Sequence, residues 1–351
     1  VHARQGETAL ATACAVFPRT SLAIREDGRE RIEVTGSLAC PQLARLTLLS
    51  ANGLTQSPSP APVLLRDYVG KVVDLSGDDP YAIHFLGVRR AVVDLFGRTE
   101  FPFSSRLVFA AHLAAQIDDF FHQGTTAFRG ASKLFARQRL DAELAAAGDP
   151  SVLHRLHDDL ETLGNGGGPG VLAAVTSMLA DRLRLPHSVR FADVVANSLR
   201  SLRDEAQADV TSPTGEVSPG RLFAVYQRRN ALVAQRVPEA FDDLLGRYAI
   251  HYLLRHPYTD APSLLVYLRR LALAAAAVRL LVIGSPEVKE CLDAEPDRQI
   301  DRDTFARTTV DVVQSLTKAI THHVAFLAAI HNANESQGVR FGTLVLFAKF
   351  M

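Results

Sequence analysis

Over most of the chain, apolar residues recur every three or four positions. The clearest run is Asp303–Ala329, where Val310, Val313, Leu316, Ile320, Val324 and Leu327 share one phase. Arg307, Asp311, Gln314, Lys318 and Thr321 take the opposite phase, which is the pattern of an amphipathic helix. The same period predicts helices over Arg106–Phe121, Val171–Leu183, Phe191–Ala208, Pro219–Val237 and Phe241–Leu254. Ser104, Ser188 and Ser218-Pro219 are suited to helix starts, because a hydroxyl can accept from an otherwise unbonded first-turn amide. Leu264–Ile283 is apolar over a length that could span a bilayer. Arg269, Arg270 and Arg279 interrupt it, and charges in hydrocarbon are costly. A buried helix with its arginines leaving at one edge is expected there.

The first fifty or so residues follow a different pattern. Short alternating runs, Ser21–Arg25 and Arg31–Thr35, flank Asp27-Gly28, a pair suited to a tight hairpin turn. Such a hairpin would bring the segment around Cys14 back towards the one around Cys40. Ser57–Pro62, S-P-S-P-A-P, has the composition of a linker. The expected organisation is a Cys-bearing N-terminal region over residues 1–56, a linker over 57–62 and a helical domain over 63–351. No internal repeat and no regular alternation of strands with helices is visible. The expected fold is mostly α, a multi-helix domain with a short irregular or hairpin Cys-bearing N-terminal region.

Composition narrows the function classes. A chain of 351 residues with 47% hydrophobic content can bury a core without disulfides. Lysine plus arginine equals aspartate plus glutamate, 38 against 38, so no global field draws the chain to nucleic acid or an acidic membrane. Neither is expected as a partner. The three cysteines, Cys14, Cys40 and Cys291, are too few for a secreted disulfide framework and point to a reducing, cytoplasmic setting. The sequence opens on Val1, and its two methionines are Met178 and Met351, so it is expected to be the interior and end of a longer product.

Most clusters that suggest chemistry lack the rest of their pattern. Gly164–Gly170 is glycine-rich, but no Walker lysine follows and no β-branched strand precedes it, so an inter-helix loop is expected. No Rossmann-type dinucleotide or S-adenosylmethionine pocket is announced anywhere. His154 and His157 fall on one helix face, yet no third metal ligand is marked. His322, His323 and His331 lie on the strong amphipathic run, where a surface or core-edge role is expected. Asp118 and Asp119 are adjacent and therefore diverge by roughly 100° on a helix, which does not suit paired acid–base work. Cys291 has no flanking support for a catalytic thiol.

The remaining candidates are Cys14-Ala-Val-Phe-Pro-Arg19 and Cys40-Pro-Gln-Leu-Ala-Arg45, each with a thiol near a proline and an arginine. Thiolates are soft ligands for zinc or iron–sulfur clusters, and a nearby arginine favours the thiolate. Two cysteines do not complete a four-thiolate site. Two buried structural cysteines fit the same residues, and both readings stand at this point.

These two stretches resemble the flagellin lysine-N-methylase family, which carries Cys-x-x-(Tyr/Phe)-Pro-Arg and then Ser-x-x-Cys-Pro-Glu-x-Ala-Arg-Leu. The matching runs are Cys14–Arg19 and Ser37–Leu46, with Gln42 in place of the glutamate. The opening Val1–Glu7 is similar to the family's segment just after an upstream cysteine. Arg247–Tyr258 is similar to the family's Asn-Tyr-Leu-x-Asn-Tyr-x-x-x-x-x-Phe-Pro-Phe segment, with Arg247 and His251 where the asparagines stand. Val313–His323 is similar to its last helix. The likeness extends over most of the chain; its Cys motifs are fairly specific and its helical matches loose.

The resemblance implies a protein lysine N-methyltransferase acting on flagellin or another lysine-bearing protein. S-adenosylmethionine would be the donor, and an iron–sulfur cluster of the 4Fe-4S type would be bound. Cys14 and Cys40 carry over as two cluster ligands, the others belonging to motifs upstream of Val1. Arg19 and Arg45 would support the cluster, and no catalytic residue is assigned. The rival from another class is a helical binding or scaffold protein with a structural zinc or buried thiols and no catalysis.

Overall fold

The computed structural model describes residues 17–58, 70–127, 133–208, 217–237, 240–294, 302–321 and 340–351. The described residues form fourteen α-helices and one three-stranded sheet, so the fold is mostly α.

The chain enters through the hairpin. Strand β1 (Arg19–Glu26) pairs antiparallel with β2 (Arg29–Gly36), in a register that sets Ala23 opposite Ile32. Asp27 and Gly28 both have positive φ, 48° and 77°, the twist a two-residue hairpin turn needs. Helix α1 (Pro41–Leu49) follows. Strand β3 (Lys71–Asp74) then pairs parallel with β1, giving the order β2-β1-β3. The sequence pattern does not announce β3, because four residues are too few to establish an alternation. The sheet thus takes a strand from beyond Ser57–Pro62, a stretch that falls largely outside the described residues. As the central strand, β1 buries Ser21, Leu22, Ala23 and Ile24 in succession.

Helices α2 (Pro80–Ile83), α3 (Phe85–Phe96) and α4 (Phe103–Ala127) lead into the body. They are followed by α5 (Lys133–Ala147), α6 (Pro150–Thr162), α7 (Gly168–Leu183), α8 (Val189–Ala208) and α9 (Pro219–Arg236). The remainder are α10 (Ala240–Arg255), α11 (Leu264–Gly284), α12 (Pro286–Asp293), α13 (Arg302–Leu316) and α14 (Phe341–Phe350). Ser218 and Ser188 accept from Arg221 N and Phe191 N, as expected of helix starts. Ser104 does not, because α4 begins one residue earlier at Phe103. The run from Asp303 forms α13 and then widens into a π-helical turn over Thr317–Thr321, beyond which Val324, Leu327, His322, His323 and His331 lie outside the described residues.

Helix α11 is the axis of the body, packed by α4, α7, α8, α9, α10, α13 and α14. Its arginines do not all leave at one edge. Arg270 and Arg279 are buried, because neighbouring elements carry partners in to them. Arg279 donates to Asn230 Oδ1 at 2.9 Å, pairs with Asp242 at 3.3 Å and stacks over Phe241. Arg270 donates to the Asp260 carbonyl at 3.2 Å. Paired in this way, a guanidinium is tolerated where a bare charge would not be. Among the described residues, no single helix is long and apolar enough to cross a membrane.

The glycine-rich stretch is more than a loop, since α7 starts inside it. Gly168 is buried against Phe223, and any Cβ there would overlap the phenyl ring. Gly168→Ala is therefore expected to cost about 2 kcal/mol through overpacking, measurable by urea unfolding. A neutral result would mean that Phe223 swings aside without loss.

Candidate functional site

Two structures converge on α10. The first is the Cys40 segment. Cys40 is the N-cap of α1, with Pro41 at the first helical position, extended backbone (φ −84°, ψ 120°) and no side-chain bond to the helix. Its amide donates to Ser37 O at 3.0 Å and its carbonyl accepts from Ala44 N at 2.9 Å. Ser37 N in turn donates to Pro18 O at 2.6 Å, which continues the contact between the arms past the end of the β1–β2 ladder. Phe17-Pro18-Arg19 and Ser37–Cys40 therefore meet at the open end of the hairpin. Cys40 is half-buried and not disulfide-bonded. Cys14 lies outside the described residues. Arg19 opens β1, and Arg45 is exposed on α1 more than one turn beyond Cys40.

The helical body holds this segment by its backbone. His251 of α10 donates from Nε2 to Gly36 O at 2.7 Å, Gln314 of α13 donates to Ala39 O at 3.3 Å, and Arg247 of α10 donates to Ser50 O at 2.6 Å. Burial, assisted by the Arg255 charge and only partly offset by the Gly36 bond, pushes the His251 imidazole down to about 4. From the sheet side, Arg89 of α3 makes a bidentate pair with Glu33 of β2 at 2.7 and 2.8 Å. Burial raises the Glu33 carboxyl, but the bonds and charges of Arg89 and Arg31 outweigh it and hold the group below its ordinary value.

One thiol is a single donor, and among the described residues no group of three or more His, Cys, Asp or Glu is gathered to hold a metal ion. These residues fit one ligand of a thiolate-held cluster and do not complete the set, so no reaction step is derived through such a group.

The second structure is a cavity on another face of α10, lined by Tyr248 and Tyr252 and, four residues further on and just past the helix end, by His256. Tyr267 and Arg270 of α11, Met178 of α7 and the π-helical turn after α13 close it. A π-helical turn displaces the side chains that follow it, and such turns are frequent at functional sites. Tyr267 donates to His256 O at 2.7 Å, fixing the corner where α10 ends. Burial pushes the Tyr252 phenol up to about 12 and raises the Tyr248 and Tyr267 phenols as well. At the half-exposed rim, Lys71 of β3 is ion-paired with Asp260. Burial and the Arg255 and Arg270 charges pull the Lys71 ammonium below its ordinary range despite that pair.

The other sequence candidates serve the fold. His157 shares a hydrogen bond with the buried Ser105 at 2.8 Å, and both His154 and His157 rest edge-on against Phe101, so they tie α6 to α4 and to the turn just before it. Asp118 is buried and accepts from Leu264 N and Leu265 N, both at 2.9 Å, and from the Tyr81 hydroxyl at 2.6 Å, whereas Asp119 is exposed. The two carboxylates share no site. Cys291 packs against the core on α12, and its carbonyl accepts from Arg236.

Sequence reasoning missed the cavity. Its signal was the spacing Tyr248, Tyr252, His256 followed at once by Pro257, which marks one face of a helix and its end. Lys71 and Arg270 carry no local signal, since they arrive from β3 and α11. No protein-family model matches the chain, and no curated protein or solved structure matches it either.

Proposed function

We propose that this chain belongs to a cytoplasmic protein lysine N-methyltransferase resembling the flagellin-methylating enzymes. Flagellin or another lysine-bearing protein is the substrate and S-adenosylmethionine the donor, with an iron–sulfur cluster to which Cys14 and Cys40 each contribute a thiolate. One observation carries the reading: the hairpin joins Phe17-Pro18-Arg19 to the Ser37–Cys40 turn, the two stretches that bear the family likeness, and leaves the Cys40 side chain unused by the helix it caps. The later family-like segments add support, since Arg247 and His251 bind the Cys40 segment while Tyr248, Tyr252 and Pro257 line the cavity.

S-adenosylmethionine would supply an electrophilic methyl group. The substrate lysine attacks only as the neutral amine. Within the chain, the role derived from geometry is that of Arg247, His251 and Gln314, which position the backbone on both sides of Cys40. The full-length protein purified without oxygen is expected to contain iron and to absorb broadly in the visible range. Cys40→Ser is expected to bleach that absorption without unfolding the protein, because the thiol makes no capping bond. Zinc in place of iron, together with no label passing from S-adenosylmethionine to lysine, would instead establish a helical scaffold with a structural metal.

A further inference from the structure

We infer that the cavity beside α10 binds an organic anion, a molecule with a flat or aliphatic body that ends in a carboxylate or phosphate. Two features of the walls lead there. The inner surface is aromatic and aliphatic, formed by Tyr248, Tyr252, Tyr267 and Met178, and presents little to a bare inorganic ion. The described lining carries two cationic side chains, Lys71 and Arg270, and one carboxylate, Asp260, which is already ion-paired with Lys71.

Arg255, on α10 between Tyr252 and His256, lies close enough to depress Lys71. Its Nε is buried and finds no hydrogen-bond partner among the described residues. A buried guanidinium N–H without an acceptor is costly, and an anionic group arriving nearby is attracted to that guanidinium. The tyrosine rings alone would also suit a cation held against aromatic faces. The three neighbouring cations oppose that occupant, and this decides between the two. The inference is independent of the cluster and of lysine methylation, since it concerns the walls of the cavity alone.

The test is calorimetric titration of the full-length protein with benzoate, phenyl phosphate, benzylamine and inorganic phosphate. Benzoate or phenyl phosphate is expected to bind saturably, and whichever is tighter identifies the anionic group. Benzylamine and inorganic phosphate are expected to bind at least about tenfold more weakly, the first lacking charge complementarity and the second an apolar body. Both residues at the rim are half-exposed, so variants there should fold. Lys71→Gln is expected to weaken the anionic probe on the order of fivefold, and Asp260→Asn to tighten it by a similar factor. Benzylamine binding best and weakened by Asp260→Asn would overturn the inference in favour of a cation site. Saturable binding of none of the probes, or anion binding indifferent to both substitutions, would overturn it outright.

Discussion

Replacing Asp118 by alanine is expected to destabilise the protein by about 4 kcal/mol, because one buried carboxylate serves three donors at once. It reaches from α4 to the start of α11, where it accepts from two consecutive backbone amides and from Tyr81. Ser263 adds a third first-turn acceptor by taking the Val266 amide. Leu264 is fully buried, so water has little access to the amides that alanine would abandon. A carboxylate at a helix N-terminus also opposes the helix dipole favourably, and that contribution disappears with the charge. Asp118→Asn keeps the shape and one acceptor, and is expected to lose about half as much. Urea unfolding at neutral pH measures both. A loss below about 1 kcal/mol for alanine would mean that water takes over the cap.

Acid should loosen the molecule through His251. Its folded-state value, about 4, lies below the ordinary imidazole value of about 6.5 expected in the unfolded chain. Between those values the unfolded chain binds a proton that the native state refuses. Stability therefore falls as pH drops from about 6.5 to about 4, by roughly 3 kcal/mol from this group when the window is fully crossed. Above about 6.5 both states are neutral and the term vanishes. His112, lowered by burial and by Arg155, acts in the same direction, so a control is needed. His251→Asn supplies it, since an amide can still donate to Gly36 O but does not titrate. The variant should show a markedly shallower acid slope, and an unchanged slope would locate the sensitivity elsewhere.

What was legible in the sequence was what depends on neighbours along the chain. Helical periodicity located α7, α8, α9 and α10 to within three residues, because each must bury one stripe, and found α4 but not its last six residues. Asp27-Gly28 announced the hairpin, because its turn requires positive φ at both central positions. Strand β3 was not legible, since it is a strand only by pairing with β1. The fate of the arginines on α11 was also hidden: whether a guanidinium exits or stays depends on Asn230, Asp242 and Asp260, on other elements. At the site, the Cys motif was readable as a local string. The cavity was not, because its charge comes from β3 and α11 while its aromatic face comes from both α10 and α11.

The grip on the Cys40 segment has an evolutionary consequence. His251, Gln314 and Arg247 all donate to main-chain carbonyls, those of Gly36, Ala39 and Ser50. The donors are side chains, but what they recognise is the path of the backbone. Exposed hairpin positions such as Glu30 and Arg31 can therefore drift freely among relatives without loosening this grip, while the three donors cannot change independently of the path they hold. Divergence should accumulate on one side of this contact and stall on the other, so that relatives differing widely across the hairpin would keep hydrogen-bond donors at the positions of Arg247, His251 and Gln314.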